Sequence, residues 1–150
     1  MRVVSFVCCV ALLSGCAESS TPSVAPGRFA HSAIFKTSAP WDGAAVALIL
    51  AEGEVAKKPV APYLSVRINR AAGELSNQRI RVEGKESRAG WAQWIASEGK
   101  GEPLSWVKVR FEAVKEGEPV KGWYEAAFPD GTRERGRFEA AWWPSEGRGG

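Results

Sequence analysis

Residues 104–143, LSWVKVRFEAVKEGEPVKGWYEAAFPDGTRERGRFEAAWW, decide the fold. Three runs in this stretch alternate apolar and polar residues with the period of two that marks a half-buried strand. Two turn signals separate them. Glu116-Gly117 suits a two-residue hairpin, and Pro129-Asp130-Gly131 suits a three-residue loop with glycine in the left-handed position.

Closing the first turn sets Lys115 opposite Glu118, and closing the second sets Phe128 opposite Thr132. Those two constraints fix a register for three strands at once. One face then carries the rows Phe111–Gly122–Phe138, Val109–Tyr124–Gly136 and Val107–Ala126–Glu134. The other carries Glu112–Lys121–Glu139, Arg110–Trp123–Arg137 and Lys108–Glu125–Arg135. A slip of one residue would turn every side chain of a strand to the wrong face, so the separation of apolar from polar rows supports the register. Pro119 falls opposite Val114, in a non-hydrogen-bonded pair where its missing N–H costs the ladder nothing.

Upstream, the same alternation predicts strands at 29–38, 44–51, 62–70, 77–84 and 91–97, to set beside 104–115, 119–128 and 132–143. No sustained helical period and no internal repeat interrupts them. Ala44 to Ala51, AAVALILA, is apolar on both alternations, which predicts a central strand or one covered on both faces. The expected fold is all-β: an antiparallel β-sandwich of about eight strands, with a small closed β-barrel as the alternative.

Composition agrees with one such domain. The chain has 150 residues, 45% of them hydrophobic and 25% charged, with 20 Lys+Arg against 17 Asp+Glu. A chain of this size hides roughly two thirds of its extended surface and needs neither a metal nor a disulfide to fold. The formal charge of +3 is too small a surplus for a dedicated nucleic-acid binder.

The N-terminus reads differently. Arg2 opens a basic start, Val3 to Leu13 is almost wholly apolar, and Leu13-Ser14-Gly15-Cys16 follows with the small residues of a cleavage region. The run is too short to span a bilayer, which takes about 20 apolar residues. The last four residues resemble the lipobox of bacterial lipoproteins. That resemblance, confined to residues 1–16, implies cleavage before Cys16, a diacylglyceryl group on its thiol and acylation of the new amine. Ala17 in place of aspartate implies, by the enteric rule, sorting to the outer membrane. The expected organisation is a signal peptide at 1–15, a lipidated cysteine and flexible tether at 16–27, the β domain at 28–143 and a flexible tail at 144–150. The expected location is the cell envelope, anchored by lipid and lying on its periplasmic side or surface.

Cys8 and Cys9 would leave with the leader, and the sulfur of Cys16 would carry lipid. That leaves no thiol for a disulfide, a metal or nucleophilic catalysis. His31 is the single histidine and shares an alternation with Phe29, Ala33 and Phe35, which predicts a hydrogen-bonded core residue. No nucleophile elbow or phosphate loop occurs, Gly99-Lys100-Gly101 reads as a turn, and the carboxylate pairs Glu52/Glu54 and Glu116/Glu118 fall in turns. The expectation is a protein without catalytic activity, metal or cofactor.

What remains is a surface. Arg67, Arg70, Arg79, Arg81, Lys85 and Arg88 lie on or between two strands expected to be neighbours, and seven tryptophans accompany them. Trp123 is expected between Arg110 and Arg137, a cation–π arrangement, while Trp142 and Trp143 should point to opposite faces. The candidate binding face comprises Arg67, Arg79, Arg81, Arg110, Trp123, Arg137 and Trp143. Its expected role is binding or scaffolding toward another envelope protein or a glycan, with the membrane engaged through the N-terminal lipid and no nucleic acid involved. A carrier of a small apolar ligand in a barrel cavity is the alternative.

Overall fold

The computed structural model describes residues 27–55 and 59–144. Cys16, the leader and most of the expected tether and tail therefore lie outside the described residues.

Among the described residues nine strands form: β1 (His31–Ser38), β2 (Ala44–Ala51), β3 (Tyr63–Ile68), β4 (Arg79–Glu83), β5 (Gly90–Ser97), β6 (Lys100–Pro103), β7 (Trp106–Phe111), β8 (Val120–Ala127) and β9 (Arg133–Trp142). One 3-10 turn, Ala72–Glu74, precedes β4. The hydrogen-bonded order is β4-β7-β8-β9-β1-β2-β3-β5-β6. All pairs are antiparallel except β1 with β9, which run parallel through Ala33–Ala141 and Ile34–Trp142.

That short parallel join corrects the expected two-sheet antiparallel sandwich. It ties the arc β4-β7-β8-β9 to the arc β1-β2-β3-β5-β6, so the backbone forms one mixed sheet rather than two stacked ones. The sheet rolls until β4 packs beside β5, with Gly84 against the backbone of Leu104. The result is a nearly closed, barrel-like fold, closer to the alternative of a small barrel.

The C-terminal meander has the expected register. Phe111 pairs with Gly122 and Gly122 with Phe138, and Val109, Tyr124 and Gly136 make the next row. Both turns form as their residues dictate: Glu118 N–H donates to Lys115 O at 3.2 Å, Phe128 N–H to Thr132 O at 2.9 Å, and Gly117 and Gly131 take φ of 83° and 88°. Asp130 fastens the second turn by accepting from the Thr132 hydroxyl at 2.7 Å and N–H at 2.9 Å, which holds its carboxyl below the ordinary carboxylate range.

The strand expected at 104–115 stops at Phe111, beyond which Val114 N–H donates to Ser76 Oγ at 2.8 Å. Pro119 consequently lies outside the ladder. The segment 99–101, expected as a turn, turns only at Gly99 (φ 76°), and Lys100 and Gly101 already belong to β6. Backbone pairing with β5 holds that strand, since KGEP has no apolar alternation of its own.

Inward-facing residues from both arcs merge into one core. Leu48, Leu50, Leu64, Val66, Val107, Val109, Phe111 and Phe138 all belong to it. Phe111 and Phe138 meet edge to face at 5.9 Å, and Trp94 meets Phe128 likewise at 5.7 Å. β2 is central and buried on both faces from Ala45 onward, as its composition predicts.

Candidate functional site

Strand alternation and the register determine what the barrel shows on its outside. On the arc β4-β7-β8-β9 the outward rows are Arg79–Arg110–Trp123–Arg137, then Arg81–Lys108–Glu125–Arg135, then Glu83–Trp106–Ala127–Arg133. Glu112, Lys121 and Glu139 complete the face next to the Glu116-Gly117 turn. The rows together carry eight basic and four acidic side chains, and every basic one is exposed. A formal charge of only +3 for the whole chain therefore hides an uneven distribution.

Two tryptophans organise the cations. The Arg110 guanidinium lies 4.4 Å from the Trp123 ring centroid, with Arg137 opposite Trp123 on β9. Trp106 has Arg81 and Lys108 at 4.9 Å and Arg133 at 5.4 Å. Each such contact at an exposed position contributes about 0.5–1 kcal/mol, and each holds a charge out toward solvent over an apolar ring. Two ion pairs offset part of the charge, Arg81 with Glu83 at 3.1 Å and Arg133 with Glu125 at 3.7 Å.

Five of the seven candidate residues thus share one face: Arg79, Arg81, Arg110, Trp123 and Arg137. Arg67 and Trp143 do not. Arg67 lies on the outer side of β3 in the row Phe35–Ala47–Arg67–Trp91, where its guanidinium sits 4.6 Å from the Trp91 ring and donates to Thr37 Oγ1 at 3.2 Å. Trp143 stacks on Phe35 at 5.3 Å, while Trp142 turns to the core and donates from Nε1 to Lys115 O.

The expectation that 62–70 and 77–84 are neighbouring strands is corrected here. β3 pairs with β2 and β5, whereas β4 pairs with β7. The partner of β4 follows it by two intervening strands, so no tight turn in the sequence announces the pairing. For that reason Trp106, Arg133 and Lys108 were not expected beside Arg81. The available signal was the RIRVE alternation of β4, which matches the polar and apolar rows of β7 residue by residue.

His31 also departs from expectation. Phe29 lies ahead of β1, just past a bend at Arg28, and enters the core against Tyr124 and Trp94, while His31 is exposed on the outer face. Glu52 pairs with Arg28, Glu116 with Lys36 and Glu118 with Lys115. Among the described residues no group of three or more His, Cys, Asp or Glu is placed to hold a metal ion, and no helix is long and apolar enough to cross a membrane.

Beside the basic face lies an open cleft of about 520 Å³, where residues 27–32 diverge from β9. Lys121, Arg137, Glu112 and Glu139 stand over it. The cleft narrows at Gly136, whose missing side chain leaves room for Gly27. The Tyr124 hydroxyl is buried behind them, facing Glu134 and the Phe29 backbone without a hydrogen bond of full geometry. Burial foremost, then the charge of Glu134, pushes its pKa well above the usual phenol range. Compared with family models, with curated proteins and with solved structures, the chain finds no match.

Proposed function

We propose that the chain is a lipid-anchored protein of the cell envelope, held in the outer membrane through Cys16, and that its barrel is a non-catalytic binding module. The observation that carries the binding role is the outer face of β4-β7-β8-β9, where eight exposed cations are set around Trp106 and Trp123. A surface of that kind attracts an anionic partner at long range and offers aromatic contact at short range. Interior binding has less in its favour, because inward-facing side chains from both arcs join in one buried cluster.

Two measurements test the reading. The intact mass of the mature protein should show acyl groups on Cys16, and Cys16→Ser should abolish them and block maturation; an unlipidated mature protein in the parent would sink the anchor. Lysine acetylation in intact cells should label Lys108 and Lys121 more slowly than Lys85 and Lys100. Equal labelling of all four would remove the binding face.

A further inference from the structure

We infer that the partner of the basic face is the anionic phospholipid surface of the membrane that holds the lipid on Cys16, so that the domain lies down on its own bilayer. The inference rests on the lipid-anchored reading above.

Three observations converge on it. Charge comes first: Arg79, Arg110, Arg135, Arg137, Lys108 and Lys121 project from one side of one sheet, spread over four strands rather than gathered around a pocket. A spread array suits a plane of phosphates better than a single small anion. Second, Trp106 and Trp123 stand among these cations, and indole rings with one apolar and one polar aspect settle at headgroup level.

The third observation is where the chain enters the barrel. Gly27 packs on the backbone of Arg135 and Gly136, in the strand that carries Arg133, Arg135 and Arg137 at the margin of the face. Gly27 is eleven residues from Cys16, a span of at most about 40 Å when fully extended. A membrane-held Cys16 keeps this margin within one short stretch of chain from the headgroups. Attachment converts a weak electrostatic contact into an intramolecular one, raising its effective concentration without any new interaction.

The four acidic residues limit the effect without cancelling it. Glu83 and Glu125 are paired within the face, and Glu112 and Glu139 flank Lys121 at one end. The surplus leaves the rows Arg79–Arg110–Trp123–Arg137 and Arg81–Lys108–Glu125–Arg135 as the footprint.

The experiment uses the full lipidated protein reconstituted in vesicles of phosphatidylcholine alone or with about 30 mol% phosphatidylglycerol, a charge density at which surface attraction of Lys and Arg is appreciable. Arginine labelling with phenylglyoxal and lysine acetylation are read site by site by mass spectrometry. In the anionic vesicles Arg110, Arg137 and Lys108 should label more slowly by about threefold or more than in the neutral ones, with Lys85 and Lys100 unchanged. Raising the salt to roughly 0.5 M, where screening acts within a few ångströms, should remove the difference. The paired substitution Arg135→Glu and Arg137→Glu should remove it at low salt as well.

Equal labelling in the two vesicles overturns the inference. Should the face then still be protected in cells, its partner is a glycan or an acidic protein and the binding-module reading survives. A mature protein without acyl groups overturns the anchored reading and this inference together.

Discussion

Gly90 opens β5 with φ 134°, and a side chain added there would meet the carbonyl oxygen of Arg67 on the neighbouring strand. Its own N–H and C=O exchange hydrogen bonds with Ser87 at 3.1 Å, so the residue can neither rotate nor retreat. Gly90→Ala should therefore cost about 2 kcal/mol or more in urea unfolding, since backbone strain and a backbone clash add. Tyr124 makes the opposite case. Its hydroxyl is buried and makes no hydrogen bond of full geometry, so Tyr124→Phe should change stability by less than about 1 kcal/mol at neutral pH.

The sign of the pH effect follows from the raised pKa of Tyr124. The unfolded phenol ionises near pH 10 while the folded one keeps its proton, so the unfolded state binds fewer protons above that pH and stability falls. Denaturation midpoints measured from pH 9 to 11 should drop more steeply for the parent than for Tyr124→Phe. Parallel curves would show that the hydroxyl is not confined in the folded state.

At the scale of elements, the C-terminal meander separates packing from surface chemistry within a single hairpin. Phe111 and Trp123 are on adjacent strands but opposite faces, one in the core against Phe138, the other outside under Arg110. Phe111→Ala should cost about 3–5 kcal/mol by cavity formation. Loss of the Arg110–Trp123 contact, read from Arg110→Ala, should cost no more than about 1 kcal/mol. Thermal melts of the two variants check the contrast, and similar losses would mean that the outer face is part of the core.

These elements were also the most legible part of the sequence. Tight turns at Glu116-Gly117 and Pro129-Asp130-Gly131 join strands that are neighbours in both chain and sheet, so turn chemistry and alternation constrain the same register. The pairs β4 with β7 and β1 with β9 have no such turn. Their partners are selected by closure of the whole sheet, which no local pattern records. The Trp123 site was legible because it lies inside the meander; the cluster around Trp106 was legible only in part, because Arg81, one of its three cations, comes from β4.

At the scale of the molecule, the two arcs are unequally joined. β1 pairs with β2 along its full length, from His31–Ala51 to Ser38–Ala44, but with β9 through two residue pairs and the Trp143 N–H to Ile34 O bond of 2.9 Å. Opening should begin at that join. Native-state hydrogen exchange should find the Trp143 amide exchanging well before the amides of β7 and β8, through a motion smaller than global unfolding. Equal protection would mean that the barrel opens as one unit, and earlier exchange in β7 would place the weak seam at β4 instead.

The parallel pairing of β1 and β9 has a mechanical side. Because the chain enters along β1 and leaves along β9 in the same direction, its two ends depart from opposite ends of the barrel. A pull between them loads that contact lengthwise, straining its hydrogen bonds and the Phe35–Trp143 stack together rather than peeling them one after another. A domain held at one end to a moving surface would meet drag in the orientation its terminal strands resist best.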